Sequence, residues 1–361
     1  MRWMLFGMLW ILSGCHVLLP LSSGADGRGP ADLGVVADVT GVRDKSLDIE
    51  PPRDDAPPPT PESGAPDTRP PTDTGPAPDT GPALVWQPVS NGSTVEHLHG
   101  VWGISNEVYV AGAEAVWRVN SGAWTSVASS NGPGFWRVRI DPSSKLGFAV
   151  GGNGIIHRYN GTAVQWPDLF TFGGTLYGLW VQGTSAVAVG VDEIWLWDQV
   201  MEEWGPASAL TGATTYTAVW GSSAQDVWIA DYAGSLHHFN GTTLFKTTTG
   251  TSFIYGIHGT GPNDIHAVVT NGTVLHYDGS YWSQPLVVGT GAGLRDVWAH
   301  SATVAFAVGD SGTILRYDGA SWSSMTSGTT EALYGVWGTG PTDVYAVGTN
   351  GTMLHLSPVL P

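Results

Sequence analysis

One feature constrains this chain more than any other: a triplet of the Val-Trp-Gly kind returns at a nearly fixed interval. It reads Val101-Trp102-Gly103, Val138-Arg139-Ile140, Leu179-Trp180-Val181, Val219-Trp220-Gly221, Ile257-His258-Gly259, Val297-Trp298-Ala299 and Val336-Trp337-Gly338. Successive central residues lie 37, 41, 40, 38, 40 and 39 positions apart, so no copy carries a large insertion. A period of this length is that of one supersecondary unit stacked on its neighbours. After each triplet a Gly/Pro/Asp turn leads into a second apolar run, as in Gly340-Pro341-Thr342-Asp343 before Val344-Tyr345-Ala346-Val347-Gly348. A third run ends in Asp-Gly (Asp278-Gly279, Asp318-Gly319) or Asn-Gly (Asn160-Gly161, Asn240-Gly241), pairs that predict tight type I′ hairpins. A fourth run carries an aromatic residue: Trp124, Trp166, Trp204, Phe245, Trp282 or Trp322. Four strands per repeat predict an all-β fold, a single seven-bladed β-propeller with four antiparallel strands per blade over residues 84–361. A stacked solenoid is the alternative architecture.

The seventh copy stops after Met353-Leu354-His355-Leu356 without a fourth run, while Val85-Trp86-Gln87-Pro88 precedes the first triplet and is similar to the fourth runs elsewhere. An N-terminal strand is therefore predicted to complete the last blade and hide its edge. Composition agrees: Gly at 50 residues, Trp at 18 and only 12% charged residues suit short strands and turns. A formal net charge of −17 excludes nucleic acid as a partner, since binding there rests on Lys and Arg neutralising phosphates.

Two segments precede the repeats. Arg2 and the apolar run to Leu12 lead into Leu12-Ser13-Gly14-Cys15, too short to span a bilayer. The pattern resembles a lipoprotein signal peptide over residues 1–14, and the resemblance implies lipid attachment at Cys15, the chain's one cysteine. An ordinary secretory signal is the alternative, and either implies export. His16 stands where inner-membrane retention usually shows Asp, so the resemblance implies a Gram-negative outer membrane, with a periplasmic or a surface-facing orientation. Residues 15–83 are rich in Pro, Asp and Thr, with an echo in Pro66-Asp67-Thr68, Thr72-Asp73-Thr74 and Pro78-Asp79-Thr80. Such a composition predicts a disordered tether, reaching from roughly 45 Å as coil to about 190 Å extended. A recognition segment or a glycosylated stretch is the rival reading.

The repeats themselves resemble those of secreted bacterial lipoproteins, Val-Trp-Gly-x-Gly-Pro-x-Asp-Val-Trp-Ala-Val-Gly, and more distantly the propellers of photosystem II assembly factors and Asp-box sialidases. Tyr-Asp-Gly-x-x-Trp at 277–282 and 317–322 departs from the Asp-box by placing Gly directly after Asp. The resemblance implies fold and location and carries no activity across.

Chemistry is sparse. The loops are short, and the repeat region has only eight of the chain's 14 Arg and Lys residues. Arg118, Arg158, His238, His276, Arg316 and His355 share one third-strand position, and Asp226, Asp264 and Asp343 share one turn, where a carboxylate is expected to accept backbone hydrogen bonds. Residues recurring once per blade are read as structural. His97 and His99 face one way on a strand but lack a third ligand, so neither a metal site nor a cofactor is predicted. The position before each triplet varies most: His99, Trp136, Tyr177, Thr217, Tyr255, Arg295 and Tyr334. These residues start the innermost strands and are expected to ring one mouth of the channel, either as a ligand-binding surface or as inter-blade packing. The chain is thus read as a tethered, non-enzymatic, monomeric binding or scaffold propeller for a protein or surface-glycan partner. A glycosidase-like envelope hydrolase with its site at the channel mouth is the alternative.

Overall fold

The computed structural model describes residues 83–90, 96–130, 132, 134–159, 161, 168–207, 214–288 and 291–358. The signal and tether readings, Cys15 among them, lie outside these. Every repeat forms one four-stranded antiparallel sheet, seven in all. The first strand of each is innermost: Leu98–Ile104, Phe135–Ile140, Leu176–Gln182, Tyr216–Ser223, Ile254–Gly261, Leu294–Ser301 and Leu333–Gly340. Each packs against the innermost strand of the next blade, and the last packs against the first, so the sheets close into a seven-bladed propeller. Second strands such as Val304–Gly309 are buried along almost their whole length. Their apolar runs do not alternate because a neighbouring blade covers each face. Fourth strands such as Leu244–Thr248 are mostly exposed.

The ring closes as its end sequences predict. Leu84–Pro88 pairs antiparallel with Met353–Pro358, Trp86 facing Leu356. Trp86 is buried and meets Phe306 of the sixth blade edge-on, ring centroids 6.3 Å apart. The closing strand therefore adds hydrophobic contact as well as backbone hydrogen bonds.

The triplet has a physical reason. The indole of one blade lies on the glycine of the next: Trp337 over Gly103, Trp180 over Gly221, Trp220 over Gly259 and Trp298 over Gly338. A Cβ at Gly259 would stand 2.9 Å from the Trp220 ring and 2.5 Å from the Asp264 carbonyl oxygen; at Gly338 the corresponding distances are 2.9 Å to Trp298 and 2.6 Å to Asp343. Trp180 also donates its indole N–H to the Gly221 carbonyl at 2.8 Å, and Trp102 does the same to Ile140 at 2.8 Å. Where His258 replaces the tryptophan, its Nδ1 accepts the Ala299 N–H at 3.2 Å.

Two local expectations are corrected. The pairs Asn240-Gly241, Asp278-Gly279 and Asp318-Gly319 do not make type I′ turns, which need positive φ at both central residues. Only the glycines have it, Gly241 at +91°, Gly279 at +94° and Gly319 at +97°. Tyr317 pairs with Trp322 across a longer loop, and the Asp318 carboxylate accepts the N–H groups of Ala320 and Ser321 at 2.9 and 2.7 Å. Asp278 and Asn240 cap their loops in the same way. Trp282 is held only by an isolated bridge to Tyr277, and the fourth strand of its blade is Leu286–Val287, because the loop and Pro285 delay regular pairing. The fourth strand of the second blade is Asp168–Thr171, and Trp166 lies outside the described residues.

Gly259→Ala and Gly338→Ala are expected to lose about 1–3 kcal/mol by overpacking against ring and backbone. Gly261→Ala and Gly340→Ala, where a Cβ meets nothing within 4 Å, are expected to stay within about 0.5 kcal/mol of the parent. Urea unfolding of the four variants checks the contrast.

Candidate functional site

Each innermost strand carries an irregularity at the same place. The register with the second strand shifts between Leu98 and Gly100, Phe135 and Arg137, Leu176 and Gly178, Tyr216 and Ala218, Ile254 and Gly256, Leu294 and Asp296, and Leu333 and Gly335. The residue skipped is His99, Trp136, Tyr177, Thr217, Tyr255, Arg295 or Tyr334, the whole of the ring singled out in the sequence. A bulge leaves its extra residue out of the ladder and re-aims its side chain. All seven line one cavity of about 500 Å³, together with His97, Arg137, Thr215 and Tyr232.

One wall is an aromatic arc. His99 lies 4.2 Å from the Trp136 ring and stacks on Tyr334 at 5.7 Å, and Trp136 meets Tyr177 edge-on at 5.7 Å. Across from it the Arg295 guanidinium sits 4.8 Å over Tyr255 and is held by Asp310, Nε to Oδ1 at 2.9 Å and Nη2 to Oδ2 at 3.1 Å. The members of the ring differ in burial. Thr217 is buried and gives its hydroxyl to the Ile254 carbonyl of the next blade at 2.5 Å, which is inter-blade packing. Trp136, Tyr177, Tyr255, Arg295 and Tyr334 are half-buried, with part of each surface turned to the cavity.

The floor is made by the position that follows the bulge: Gly100, Arg137, Gly178, Ala218, Gly256, Asp296 and Gly335. Here the innermost strands approach closely, so that a Cβ at Gly100 would lie 2.7 Å from the Trp136 carbonyl and one at Gly256 2.9 Å from the Asp296 Cα. Two residues break the small-residue pattern. Arg137 Nη1 donates to the carbonyls of His99 and Trp136 at 3.1 and 3.0 Å, and buried Asp296 accepts the Val336 N–H at 3.2 Å. Beyond this throat a second cavity of about 420 Å³ is lined by Trp102, Arg139, Trp180, Trp220 and His258. Burial lowers Arg139 to about 10, against the attraction of Asp296, so it stays cationic at neutral pH with its guanidinium 4.6 Å over Trp102. Arg137 and Arg139 against Asp296 make the channel cationic inside a strongly acidic chain. The sequence reading passed over Arg137, although an Arg in a column of Gly and Ala marks it.

His99 is buried and its Nδ1 has no hydrogen-bond partner. Burial, with Arg137 and His97 adding repulsion, lowers its pKa to about 4, so the ring is neutral. His97 lies 6.4 Å from it, and among the described residues no third His, Cys, Asp or Glu joins the pair. The recurrent turn aspartates do not serve the backbone as expected. Asp226, Asp264 and Asp343 accept from Nε2 of His238, His276 and His355 at 2.6, 2.8 and 2.6 Å, because each begins a second strand two residues before the one paired with that histidine and so shares its face. None of these pairs lines the cavity.

No family model and no curated protein matches the chain. Solved structures do. The WD40 repeats of RRP9 superpose with a TM-score of 0.63 at 11% identity, covering 77% of this chain and 98% of that one. U3-55K gives 0.63 at 10%, covering 76% and 98%. YCF48 from Cyanidioschyzon merolae gives 0.58 at 14%, covering 76% and 99%, a distant likeness to a photosystem II assembly factor. At these identities the likeness is one of fold.

The pKa of His99 gives a pH dependence with a definite sign. Its folded value of about 4 lies below the ordinary value of about 6.5, so the unfolded chain protonates first and stability falls as pH drops through that window. His258, lowered by desolvation to about 3, acts in the same direction. His99→Phe keeps a ring and removes one titration. Its stability relative to the parent, from urea midpoints, is expected to rise between pH 7 and pH 4.5.

Proposed function

We propose that this chain is an exported lipoprotein whose propeller is a non-enzymatic binding module. Its ligand is a glycan or a peptide segment that presents flat apolar faces together with an anionic group. The observation that carries this reading is the convergence of seven bulge residues on one cup of drug-sized volume, aromatic along its wall and cationic at its floor. Pockets of this kind, largely apolar with a few polar groups, are the usual form of a small-ligand site. Aromatic faces suit sugar rings and apolar side chains alike, and Arg137 supplies guanidinium donors beyond the Nη1 that holds two carbonyls. In a chain of net charge −17 a local cationic patch favours an anion there.

The glycosidase-like alternative needs two carboxylates flanking a bond. Among the described residues lining the cup there is none, and Asp310 is spent on Arg295. The anchor at Cys15, the tether and the outer-membrane location, periplasmic or surface-facing, belong to the same proposal. They rest on the Leu-Ser-Gly-Cys motif and the Pro/Asp/Thr composition. A protein partner and a monomeric state are proposed with them.

Full chain carrying Tyr177→Ala, Tyr334→Ala or Arg137→Gln is expected to keep its circular dichroism and lose roughly tenfold or more in affinity for whatever a glycan array or a peptide library captures. Equal capture by parent and variants would remove the cup from consideration. In a Gram-negative host, labelled palmitate is expected on the parent and not on Cys15→Ser. Labelling of the variant, or none on the parent, would end the lipoprotein reading.

A further inference from the structure

The fifth blade holds a group of side chains that the binding cup does not use. Asp264 and His266 stand two apart on the second strand, Asp264–Val269, and so share a face. His266 is the direct cross-strand partner of His276 on the third strand, Thr273–Tyr277. The Asp264 Oδ1 is 2.8 Å from His276 Nε2 and 3.7 Å from His266 Nε2, and one donor atom from each of the three residues lies within 4.8 Å of the others. The second carboxylate oxygen, Oδ2, accepts the Thr260 hydroxyl at 2.5 Å. That contact fixes the carboxylate with Oδ1 turned to the two imidazoles, as partners behind metal ligands do.

Comparison with the sister blades isolates what is unusual. The fourth blade has the same Asp226–His238 contact and a Ser222 hydroxyl on the carboxylate, with Trp228 stacked flat on His238 at 4.0 Å. The seventh has Asp343–His355, a Thr339 hydroxyl on the carboxylate, and Tyr345 stacked on His355 at 4.2 Å. The dyad is thus a repeated structural device, completed each time by a large aromatic ring. Only in the fifth blade is that ring a histidine. His266 is wholly buried, stacked on His276 at 4.5 Å and walled by Tyr317 and Trp322 of the next blade, yet neither of its nitrogens has a hydrogen-bond partner. Burying an unpaired polar atom is destabilising. Tryptophan or tyrosine, used by the sister blades, would fill the space with at most one polar atom to place.

We propose that Asp264, His266 and His276 form a binding site for a divalent transition-metal ion, zinc by the nature of its donors. Two imidazoles and one carboxylate make a donor set that suits zinc, leaving a fourth position for water. At metal–ligand distances of about 2.0–2.1 Å, tetrahedral donors stand roughly 3.3 Å apart, between the two separations measured from Asp264 Oδ1. The two rings are now nearly parallel, 17° between planes, and must open for both Nε2 lone pairs to converge. His276, whose side chain is 37% exposed, has room to turn, and its exposed side gives the ion its way in. The ion takes up His266 Nε2, which no protein group satisfies.

The test is calorimetric titration of zinc into chelator-treated full chain, with cobalt as a spectroscopic probe. One zinc per chain, a rise in Tm on its addition and the visible bands of four-coordinate cobalt are expected. His266→Trp and His266→Tyr import the sister-blade residue, so they are expected to fold at least as well as the parent. Both should weaken zinc binding roughly tenfold or more and abolish the Tm rise. His276→Asn should weaken it likewise, and His238→Gln in the fourth blade should change nothing. Absence of stoichiometric binding to the parent overturns the proposal. So does undiminished binding in both His266 variants, which would place the ion elsewhere on the chain.

Discussion

The propeller rests on one contact made between neighbours: an indole from one blade laid on a glycine of the next. A sheet four strands wide cannot bury its two faces alone, and seven of them are stable only because each covers the next. At four of the seven interfaces the Trp-on-Gly contact sets how closely they approach. The glycine admits the ring, the ring covers the glycine's bare backbone, and where the tryptophan is replaced, as at His258, the next blade has Ala299 instead. The interaction lies on the innermost strand, so it also sets the width of the channel and, through it, the size of the cup.

Two features of the same strand then produce the site. The bulge expels one residue per blade from the hydrogen-bond ladder, and sevenfold repetition turns seven expelled residues into a wall. The following position, kept small by the approach of the next backbone, makes the floor. Repetition supplies the geometry and departures from repetition supply the chemistry. Arg137 and Asp296 among glycines, Arg139 among tryptophans and His266 beside Trp228 and Tyr345 are departures of single blades, and each changes the polar chemistry at its position.

Much of this was legible in the sequence. A steady period near 39, four runs per copy and an orphan Val-Trp strand at the start are local signals that do not depend on tertiary detail. The ring was legible too, as the position that varies most ahead of each triplet, and the structure brings all seven residues to one cavity. What was not legible depends on register. Asp-Gly suits both a two-residue turn and a longer loop capped by the Asp side chain, and only the pairing of Tyr317 with Trp322 separates them. The bulge is invisible for the same reason. The partners of Asp226, Asp264 and Asp343 sit 12 residues away on another strand, so a turn-centred reading assigned those carboxylates to the wrong donors. His266 escaped because a lone histidine in an apolar run is unremarkable until the blades are laid over one another.

The closing strand has a consequence for the order in which the molecule can be made. Leu84–Pro88 is the first segment of the propeller to leave the ribosome or a translocation pore, and its partner, Met353–Pro358, is the last. Six blades can form as they emerge, each from contiguous chain, but the seventh is assembled from opposite ends of the domain. Until then the first and last blades present open faces, and the leading strand, with Trp86 uncovered, is the most exposed to misassociation. Topology therefore makes completion of the ring a single late event, and places the greatest need for a chaperone between emergence of the first strand and arrival of the last.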